Sequence, residues 1–199
     1  MAAQDPIKVD DPALLERVRR GDEAAFSTLY ERHQRAIYRY AMHMCGPAAA
    51  DDVVQDTFLS LFRQGRGFNA ERGTVGAYLF GIARHHVMKQ CGMRNAEYGS
   101  IEQFDEAHPR SAIRDPQSKS PLEDLERSEA TTLVRAAIRT LPPTYREVVV
   151  LCELEEMDYA DAAVVLECPI GTVRSRLHRG RALLTQKLAS MRETINVER

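Results

Sequence analysis

The segment from Asp158 to Arg179 constrains the fold more than any other part of the sequence. It divides into two short helical stretches, separated by a turn that contains Pro169. Proline cannot continue the preceding helix, but it suits the first position of the next one. Charged residues upstream of the turn, back to Glu147, are all acidic, whereas those from the turn to Arg192 are all basic. This pattern predicts a helix-turn-helix whose second helix meets a polyanion.

The second helix of this motif separates an apolar face from a basic face. Four apolar side chains recur at helical spacing and are expected to pack inward: Val173, Leu177, Leu184 and Leu188. Four polar or basic side chains share the opposite face: Arg174, Ser175, His178 and Arg179. Arginine can bind guanine O6 and N7 with two hydrogen bonds, and serine can reach a base or a phosphate. Arg176 and Arg181 lie off that face and are better placed for phosphates. A solvated basic helix is the alternative, but the turn, the small Ala163 and the inward spacing together favour DNA binding.

Composition places the chain among ordinary globular proteins. Its 199 residues are 44% hydrophobic and 28% charged, with a formal net charge of −2, so local charge patches matter more than the total. No apolar run approaches membrane-spanning length, and residues 1–11 are unlike a signal peptide, so no membrane insertion is expected. Four scattered cysteines form no metal-binding or disulfide pattern: Cys45, Cys91, Cys152 and Cys168. They are most simply reduced thiols, which indicates a cytoplasmic location.

Helix signals predict an all-α fold, with four helices in the first half of the chain. They are expected to run from Asp11 to Gly21, from Asp22 to Gly46, from about Ala50 to Gln64, and from about Thr74 to Arg94. Asp11 and Asp22 are the expected N-caps of the first two helices. In the third helix one set of side chains is expected to face inward: Val53, Val54, Phe58, Leu61 and Phe62. The opposite edge of that helix is acidic and polar, and it holds Asp51, Asp52, Gln55 and Asp56.

The composition changes after the fourth helix. Residues 96–121 contain prolines and serines and lack helical periodicity, which predicts a flexible linker. Ser120 to Glu123 then has the form of a helix-capping box, and a further helix is expected from Tyr145 to about Leu154. The sequence therefore predicts two small helical domains of four helices each, over residues 1–95 and 122–199.

Two parts of the sequence, in the right order, resemble a known family. The stretches 141–151 (LPPTYREVVVL) and 171–184 (GTVRSRLHRGRALL) closely resemble region four of bacterial sigma factors. The stretch 51–58 (DDVVQDTF) resembles the region-two segment that docks on RNA polymerase, and 77–86 (AYLFGIARHH) resembles the helix that recognises the −10 promoter element. Two domains with only a linker between them are similar to the extracytoplasmic-function class, also called group four.

The resemblance implies an alternative sigma factor that binds core RNA polymerase and directs promoter recognition and transcription initiation in a stress or signal response. Contacts with the −35 element would come from Arg174, Ser175, Arg176, His178 and Arg179. Contacts with the opened −10 strand would come from Phe68, Asn69, Arg84, His85 and Lys89. Polymerase would be bound through Asp52, Gln55 and Asp56, and an anti-sigma protein is an expected further partner. No cofactor, metal or catalytic residue is implied.

Residues 63–94 support the −10 assignment without the resemblance. Their charged residues are basic, with the one exception of Glu71. The loop before the fourth helix carries Asn69, which can bind the edge of an unstacked base. Phe68 in the same loop either stacks on a base or anchors the loop in the core.

The chain departs from the family pattern at several positions. Tyr78 stands where tryptophan is common, and His85 stands where asparagine is common, so the preferred −10 bases are not fixed by the resemblance. Glu167 occupies a turn position where glycine is usual. Ala162 and Cys168 replace branched aliphatic residues, which affects helix packing rather than the fold.

Two other functional classes are less consistent with the sequence. A stand-alone helix-turn-helix regulator would normally carry a dimerisation or effector domain, whereas the first half here has its own basic cluster. An enzyme or metal site would have to use His43 with Cys45, or His85 with His86 and Cys91. His43 and Cys45 point in different directions on a helix, and the second set lacks a fourth ligand at motif spacing.

Overall fold

The computed structural model describes residues 9–64, 67–91 and 131–197. Within these ranges the chain is helical and contains no strand, so the prediction of an all-α fold is confirmed. The predicted linker over 96–121 and the predicted capping box at Ser120 lie outside the described residues. None of the described helices is both long enough and apolar enough to cross a membrane.

The first two helices are α1, Asp11–Arg19, and α2, Glu23–Cys45. Asp22 caps α2 as predicted, because its carboxylate accepts a hydrogen bond from the Ala25 amide at 3.0 Å. The predicted cap of α1 is wrong by one residue. Asp10, not Asp11, accepts from the Ala13 amide, at 3.2 Å. The Asp11 carboxylate instead binds side chains of α2, at 2.6 Å from both Arg32 and His33.

The next two helices are α3, Pro47–Gln64, and α4, Val75–Gln90. α3 begins three residues earlier than predicted, because Pro47 is itself suited to the first turn of a helix. The predicted inward orientation of Phe62 is also wrong, since 62% of this side chain is exposed. The inward stripe is already filled by neighbours such as Phe58 and Leu61, so Phe62 lies at its rim, edge-on to Phe26 at 5.9 Å.

The second half contains four helices within the described range. Helix α5 covers residues 131–139, and α6, Pro143–Val149, continues into one π-helical turn, Val150–Leu154. α6 begins two residues before the predicted start at Tyr145, with Pro143 in its first turn. The helix-turn-helix consists of α7, Tyr159–Leu166, and α8, Ile170–Val197.

The turn between α7 and α8 confirms the main prediction and corrects one detail. Glu167 has a φ of 52°, the left-handed conformation in which glycine is usual. Pro169 precedes α8 instead of occupying its first turn, and its carbonyl accepts the amides of Thr172 and Val173. Val173 and Leu177 are buried as predicted, whereas Leu184 and Leu188 are only half-buried.

The helices form an N-terminal unit, α1–α4, and a C-terminal unit, α5–α8. In the first, α2 packs against α1, α3 and α4; in the second, α8 packs against α6 and α7. The two units also contact each other, because α4 lies against α7 and α2 lies against α6. We call this contact the closed arrangement.

Candidate nucleic-acid interface

The predicted reading face of α8 lies on the outside of the C-terminal unit. Arg174, Ser175 and His178 are exposed, and Arg179 is half-buried. The Ser175 hydroxyl donates a hydrogen bond to the carbonyl of Thr172 at 3.1 Å, within its own helix. The helix-turn-helix therefore presents the predicted side chains together. Arg174 and His178 lie one helical turn apart, and Arg179 follows His178.

The cations beside this face have structural contacts. Arg181 donates hydrogen bonds to Glu153 in the π-helical turn, one of them at 2.9 Å, and so joins α8 to the helix beneath it. Arg176 is half-buried. Burial raises the pKa of Glu147, and the positive charge of Arg176 partly offsets this effect. Sequence periodicity does not reveal these contacts, because both acidic partners belong to another helix.

The predicted −10 residues lie on α4 and on the loop before it. His85 and Lys89 are exposed on α4, four residues apart and so on one face. Asn69 is exposed in the loop, where its side-chain oxygen accepts a hydrogen bond from the Glu71 amide at 2.9 Å. This bond orders the loop and leaves the Asn69 amide group at the surface.

Phe68 anchors the loop against α4. Its ring centroid lies 5.7 Å from that of Tyr78, and the side chain is half-buried. Its carbonyl accepts a hydrogen bond from Arg19 of α1 at 3.4 Å. Both contacts favour the anchoring interpretation of Phe68 over base stacking in the closed arrangement.

A cleft of about 580 Å³ lies between this loop and the C-terminal unit. One wall comes from the N-terminal unit and includes Phe68, Asn69 and His85. Val164 and Glu167, at the end of α7, form part of the other wall. The first helix of the helix-turn-helix therefore borders the surface that carries the predicted −10 residues.

Arg84 differs from the other predicted −10 residues because it is buried. Its side chain is bonded to Glu147 of α6, with Nε 3.1 Å from Oε1, and the same oxygen accepts a hydrogen bond from the Tyr40 hydroxyl at 2.6 Å. Glu147 is 1% exposed, and its second carboxylate oxygen has no partner in the described part of the chain. Burial raises the pKa of Glu147, and the positive charge of Arg84 opposes this effect.

Further polar contacts join the two units around this buried pair. Thr74, the N-cap of α4, binds the carboxylate of Asp161 in α7 through both its amide, at 3.2 Å, and its hydroxyl. Arg39 of α2 donates two hydrogen bonds to Glu155, one of them from Nε at 2.9 Å. Burial raises the pKa of Glu155, while the bond from Arg39 lowers it. Acidic groups of the C-terminal unit thus meet donors of the N-terminal unit.

The acidic edge of α3 is accessible as predicted. Asp52, Gln55 and Asp56 are all exposed. His86 of α4 lies behind this edge, with Nδ1 3.7 Å from a carboxylate oxygen of Asp56 and Nε2 3.0 Å from the Ser60 hydroxyl. Burial lowers the pKa of His86, although the charge of Asp56 opposes it.

Sequence reasoning did not identify the contacts that join the units, which include those of Tyr40, Thr74, Glu147 and Asp161. One signal for Glu147 is present in the sequence. It is the one charged residue between Arg146 and Glu153 in a run of valine, leucine and cysteine, which is an unusual position for a carboxylate. Its partners could not be identified in this way, because they lie 63 and 107 residues away along the chain.

The histidines singled out in the sequence do not assemble into a metal centre in the described ranges, where no three His, Cys, Asp or Glu side chains are grouped suitably. His43 is buried. Burial lowers its pKa most, and the positive charges of nearby arginines lower it further. Cys45 and Cys91 lie beside each other at the ends of α2 and α4.

Protein-family models of two sigma-70 regions match the chain. The model of sigma-70 region 2 matches residues 29–94, and the model of sigma-70 region 4 matches residues 131–184. The chain is 29% identical to the ECF RNA polymerase sigma-E factor of Haemophilus influenzae, over 91% of this chain and 96% of the relative. It is 32% identical to the ECF RNA polymerase sigma factor SigE of Mycolicibacterium smegmatis, over 85% of this chain and 65% of that relative.

Two solved structures are similar along most of the chain. CnrH in complex with the cytosolic domain of CnrY matches with a TM-score of 0.65 and 25% identity, covering 90% of this chain and 97% of CnrH. The sigma factor RpoE in complex with the anti-sigma factor NepR, from Bartonella quintana, matches with a TM-score of 0.55 and 25% identity. That alignment covers 78% of this chain and 91% of RpoE.

Proposed function

Since the chain belongs to the extracytoplasmic-function class of RNA polymerase sigma factors, we propose that its two helical units read separate promoter elements. It is an alternative sigma factor that directs transcription initiation, and sigma factors are non-enzymatic initiation factors. A stand-alone regulator is not favoured, because regions 2 and 4 both occur on this one chain. We assign residues 1–95 to the region-two domain, 96–121 to the linker and 122–199 to the region-four domain.

The −35 element is assigned to the reading face of α8. Arg174, Ser175 and His178 are its exposed members, with Arg176 and Arg179 at its edges. The single observation that carries this proposal is the exposure of Arg174 and His178 on one helix, held outward by the buried Val173 and Leu177. Direct base contacts from such a helix give sequence preference, and flanking cations bind phosphates.

The −10 element is assigned to α4 and its preceding loop. His85 and Lys89 are accessible to a strand that approaches α4, and Asn69 offers an amide donor from the loop. Phe68 supports the loop in the closed arrangement and remains a proposed contact for an unstacked base. Because these residues border the cleft, the strand would enter beside α7.

Arg84 can join the −10 surface only if the units separate. In the closed arrangement Arg84 is 7% exposed, and its guanidinium is bonded to Glu147. Opening would free Arg84 and also remove Asp161 from the N-cap of α4. A contact between Arg84 and promoter DNA would therefore require the Arg84–Glu147 contact to break.

Core RNA polymerase is assigned to the acidic edge of α3. Asp52, Gln55 and Asp56 are exposed and lie along one side of this helix, where they can pair with cations of a partner. Because the class works with core polymerase and promoter DNA, we propose the cytoplasm as the site of action. A third partner, an anti-sigma protein, is proposed because the similar RpoE was solved with the anti-sigma factor NepR.

Run-off transcription with core polymerase tests the −35 assignment. Arg174→Ala is expected to reduce factor-dependent transcript about tenfold, because a good base contact contributes about 1–3 kcal/mol. Lys187→Ala is the matched control, since Lys187 is an exposed cation farther along α8 and outside the proposed face. If Arg174→Ala transcribes as well as Lys187→Ala on a promoter that requires its −35 element, the assignment is wrong.

A further inference from the structure

The ends of α2 and α4 bring two cysteine thiols into direct contact. Cys45 is the last residue of α2, and Cys91 is the C-cap of α4, 46 residues later in the sequence. Their Sγ atoms are 2.7 Å apart. Both cysteines are free and only half-buried, so small oxidants can reach them.

The surrounding backbone holds both side chains in this position. The Cys45 thiol lies 3.9 Å from the carbonyl of Val87, and the Cys91 thiol lies 3.8 Å from the carbonyl of Met44. Each thiol is thus directed at the backbone of the helix that carries the other. The pairing is reciprocal and depends on two packed helices rather than on a mobile loop.

We propose that Cys45 and Cys91 are a redox modification site that forms a reversible intramolecular disulfide when a hydroperoxide oxidises the chain. Reversible disulfides of this kind are the usual form in reducing compartments. The remaining cysteines, Cys152 and Cys168, belong to the C-terminal unit, and no contact between their sulfur atoms is observed among the described residues. Burial raises the pKa of Cys152 to about 12.

The chemistry balances with hydrogen peroxide as the oxidant. One thiolate of the pair attacks one peroxide oxygen, the O–O bond breaks, and the departing hydroxide takes up a proton to give water and a sulfenic acid. The sulfur of the second cysteine then attacks the oxidised sulfur, so that an S–S bond forms and the S–O bond breaks. The thiol proton of the second cysteine leaves with this hydroxide as a second water. Two thiols are oxidised by two electrons, and one peroxide is reduced to two waters.

The contact between the two thiols governs the second step, whichever thiol reacts first. Burial, together with the adjacent Cys91, raises the pKa of Cys45. Contact between the sulfur atoms makes the second step intramolecular, and it should be faster than capture of the sulfenic acid by a second chain.

The disulfide would fasten the C-terminal ends of α2 and α4 and close a loop that contains α3. Cross-linking stabilises a fold mainly by restricting its unfolded chain. The oxidised chain is therefore expected to unfold at a temperature at least about 5 °C higher than the reduced chain. Dithiothreitol should reverse the difference.

Peptide mapping of the full-length chain tests the proposal. The reduced protein is treated with hydrogen peroxide, its remaining thiols are alkylated, and it is digested without reductant. A peptide pair joined through Cys45 and Cys91, about 2 Da lighter than the sum of the two thiol peptides, is expected. Cys152 and Cys168 serve as internal references. They should be recovered as alkylated thiols in the same sample.

Single substitutions then separate a true pair from general oxidation. Cys45→Ser should abolish the joined peptide and leave Cys91 as a sulfenic acid or an intermolecular disulfide, and it should remove the rise in unfolding temperature. The proposal is wrong if wild-type Cys45 and Cys91 stay alkylated under conditions that oxidise Cys152. It is equally wrong if Cys91 is joined mainly to a second chain.

Discussion

Arg84 of α4 and Glu147 of α6 form a buried ion pair, with Nε 3.1 Å from Oε1, at the contact between the two helical units. Both side chains are almost inaccessible to solvent. The pair ties a proposed −10 residue to the helix that precedes the helix-turn-helix. The closed arrangement and the use of Arg84 by DNA are therefore mutually exclusive.

Glu147→Ala is expected to separate the units. Removal of the carboxylate leaves Arg84 as an uncompensated buried charge, which costs about 3–5 kcal/mol while the closed arrangement persists. Separation restores solvent to Arg84, so the radius of gyration measured by small-angle X-ray scattering should increase. Glu147→Gln, like the protonated acid, keeps an oxygen that can accept from Tyr40 and Arg84, so it should leave the radius unchanged. The exposed Glu31→Ala is the control, and an unchanged radius in Glu147→Ala would contradict the expectation.

The closed arrangement is expected to depend on pH through Glu147. Burial raises the pKa of this carboxyl when the units are closed. Its contribution is therefore complete below its ordinary pKa of about 4.3, and it is lost as pH rises through the raised value. Acidification should favour closure. The pKa of Glu155 is raised in the same direction, whereas that of His43 is lowered and acts in the opposite direction.

The comparison of wild type with Glu147→Gln isolates this contribution. Scattering between about pH 5 and pH 8 should show a larger pH-dependent change in wild type than in the variant, because glutamine does not titrate. Glu155 and His43 are present in both proteins and cancel in the difference. Identical pH profiles would exclude Glu147 as the titrating group.

Gly180 sets the distance between α8 and α6. A Cβ at this position would lie 2.7 Å from Cγ2 of Val149 and 3.3 Å from the backbone oxygen of Tyr145. Gly180→Ala should lower the free energy of unfolding by about 1–3 kcal/mol, despite the higher helix propensity of alanine. Gly171→Ala, with no atom within 4 Å of the added Cβ, is the control on the same helix. Chemical denaturation measures both, and equal stabilities would contradict the crowding.

Glu167→Gly is expected to stabilise the helix-turn-helix. Glu167 holds a φ of 52° between α7 and α8, a conformation that costs a residue with a Cβ about 1 kcal/mol more than glycine. Glu167→Ala keeps the Cβ and should show no such gain. If the denaturation midpoint rises equally in both variants, the expectation is contradicted. Loss of the carboxylate, and not removal of backbone strain at residue 167, would then be the cause.

Sequence periodicity predicted the helices well because each unit buries a continuous apolar stripe. Spacing identified most of the buried faces of α3 and α8, although Phe62 is exposed and Leu184 and Leu188 are only half-buried. The family pattern marked Glu167 as a turn position where glycine is usual. Other errors fell at helix ends, where single hydrogen bonds decide the boundary. Asp10 rather than Asp11 caps α1, and Pro169 precedes α8 rather than entering its first turn.

The contact between the units could not be predicted in the same way. Glu147 is recognisable as a carboxylate in an apolar run, but its partners Tyr40 and Arg84 belong to a distant part of the chain. Charge patterning placed Arg84 among the cations of a DNA surface. It did not show that a carboxylate would cover Arg84, because carboxylates and DNA phosphates bind a guanidinium through the same charge and hydrogen bonds.

Selection of active promoters from a randomised library, with core polymerase and the full-length chain, tests whether the two units read separate promoter elements. Arg174→Ala is expected to relax base preference only in the upstream element. His85→Ala and Lys89→Ala should change preference only in the downstream element, at an unchanged spacing between the two. A chain that yields no factor-dependent promoters, or variants of α8 and α4 that alter the same bases, would contradict the division of promoter reading between the two units.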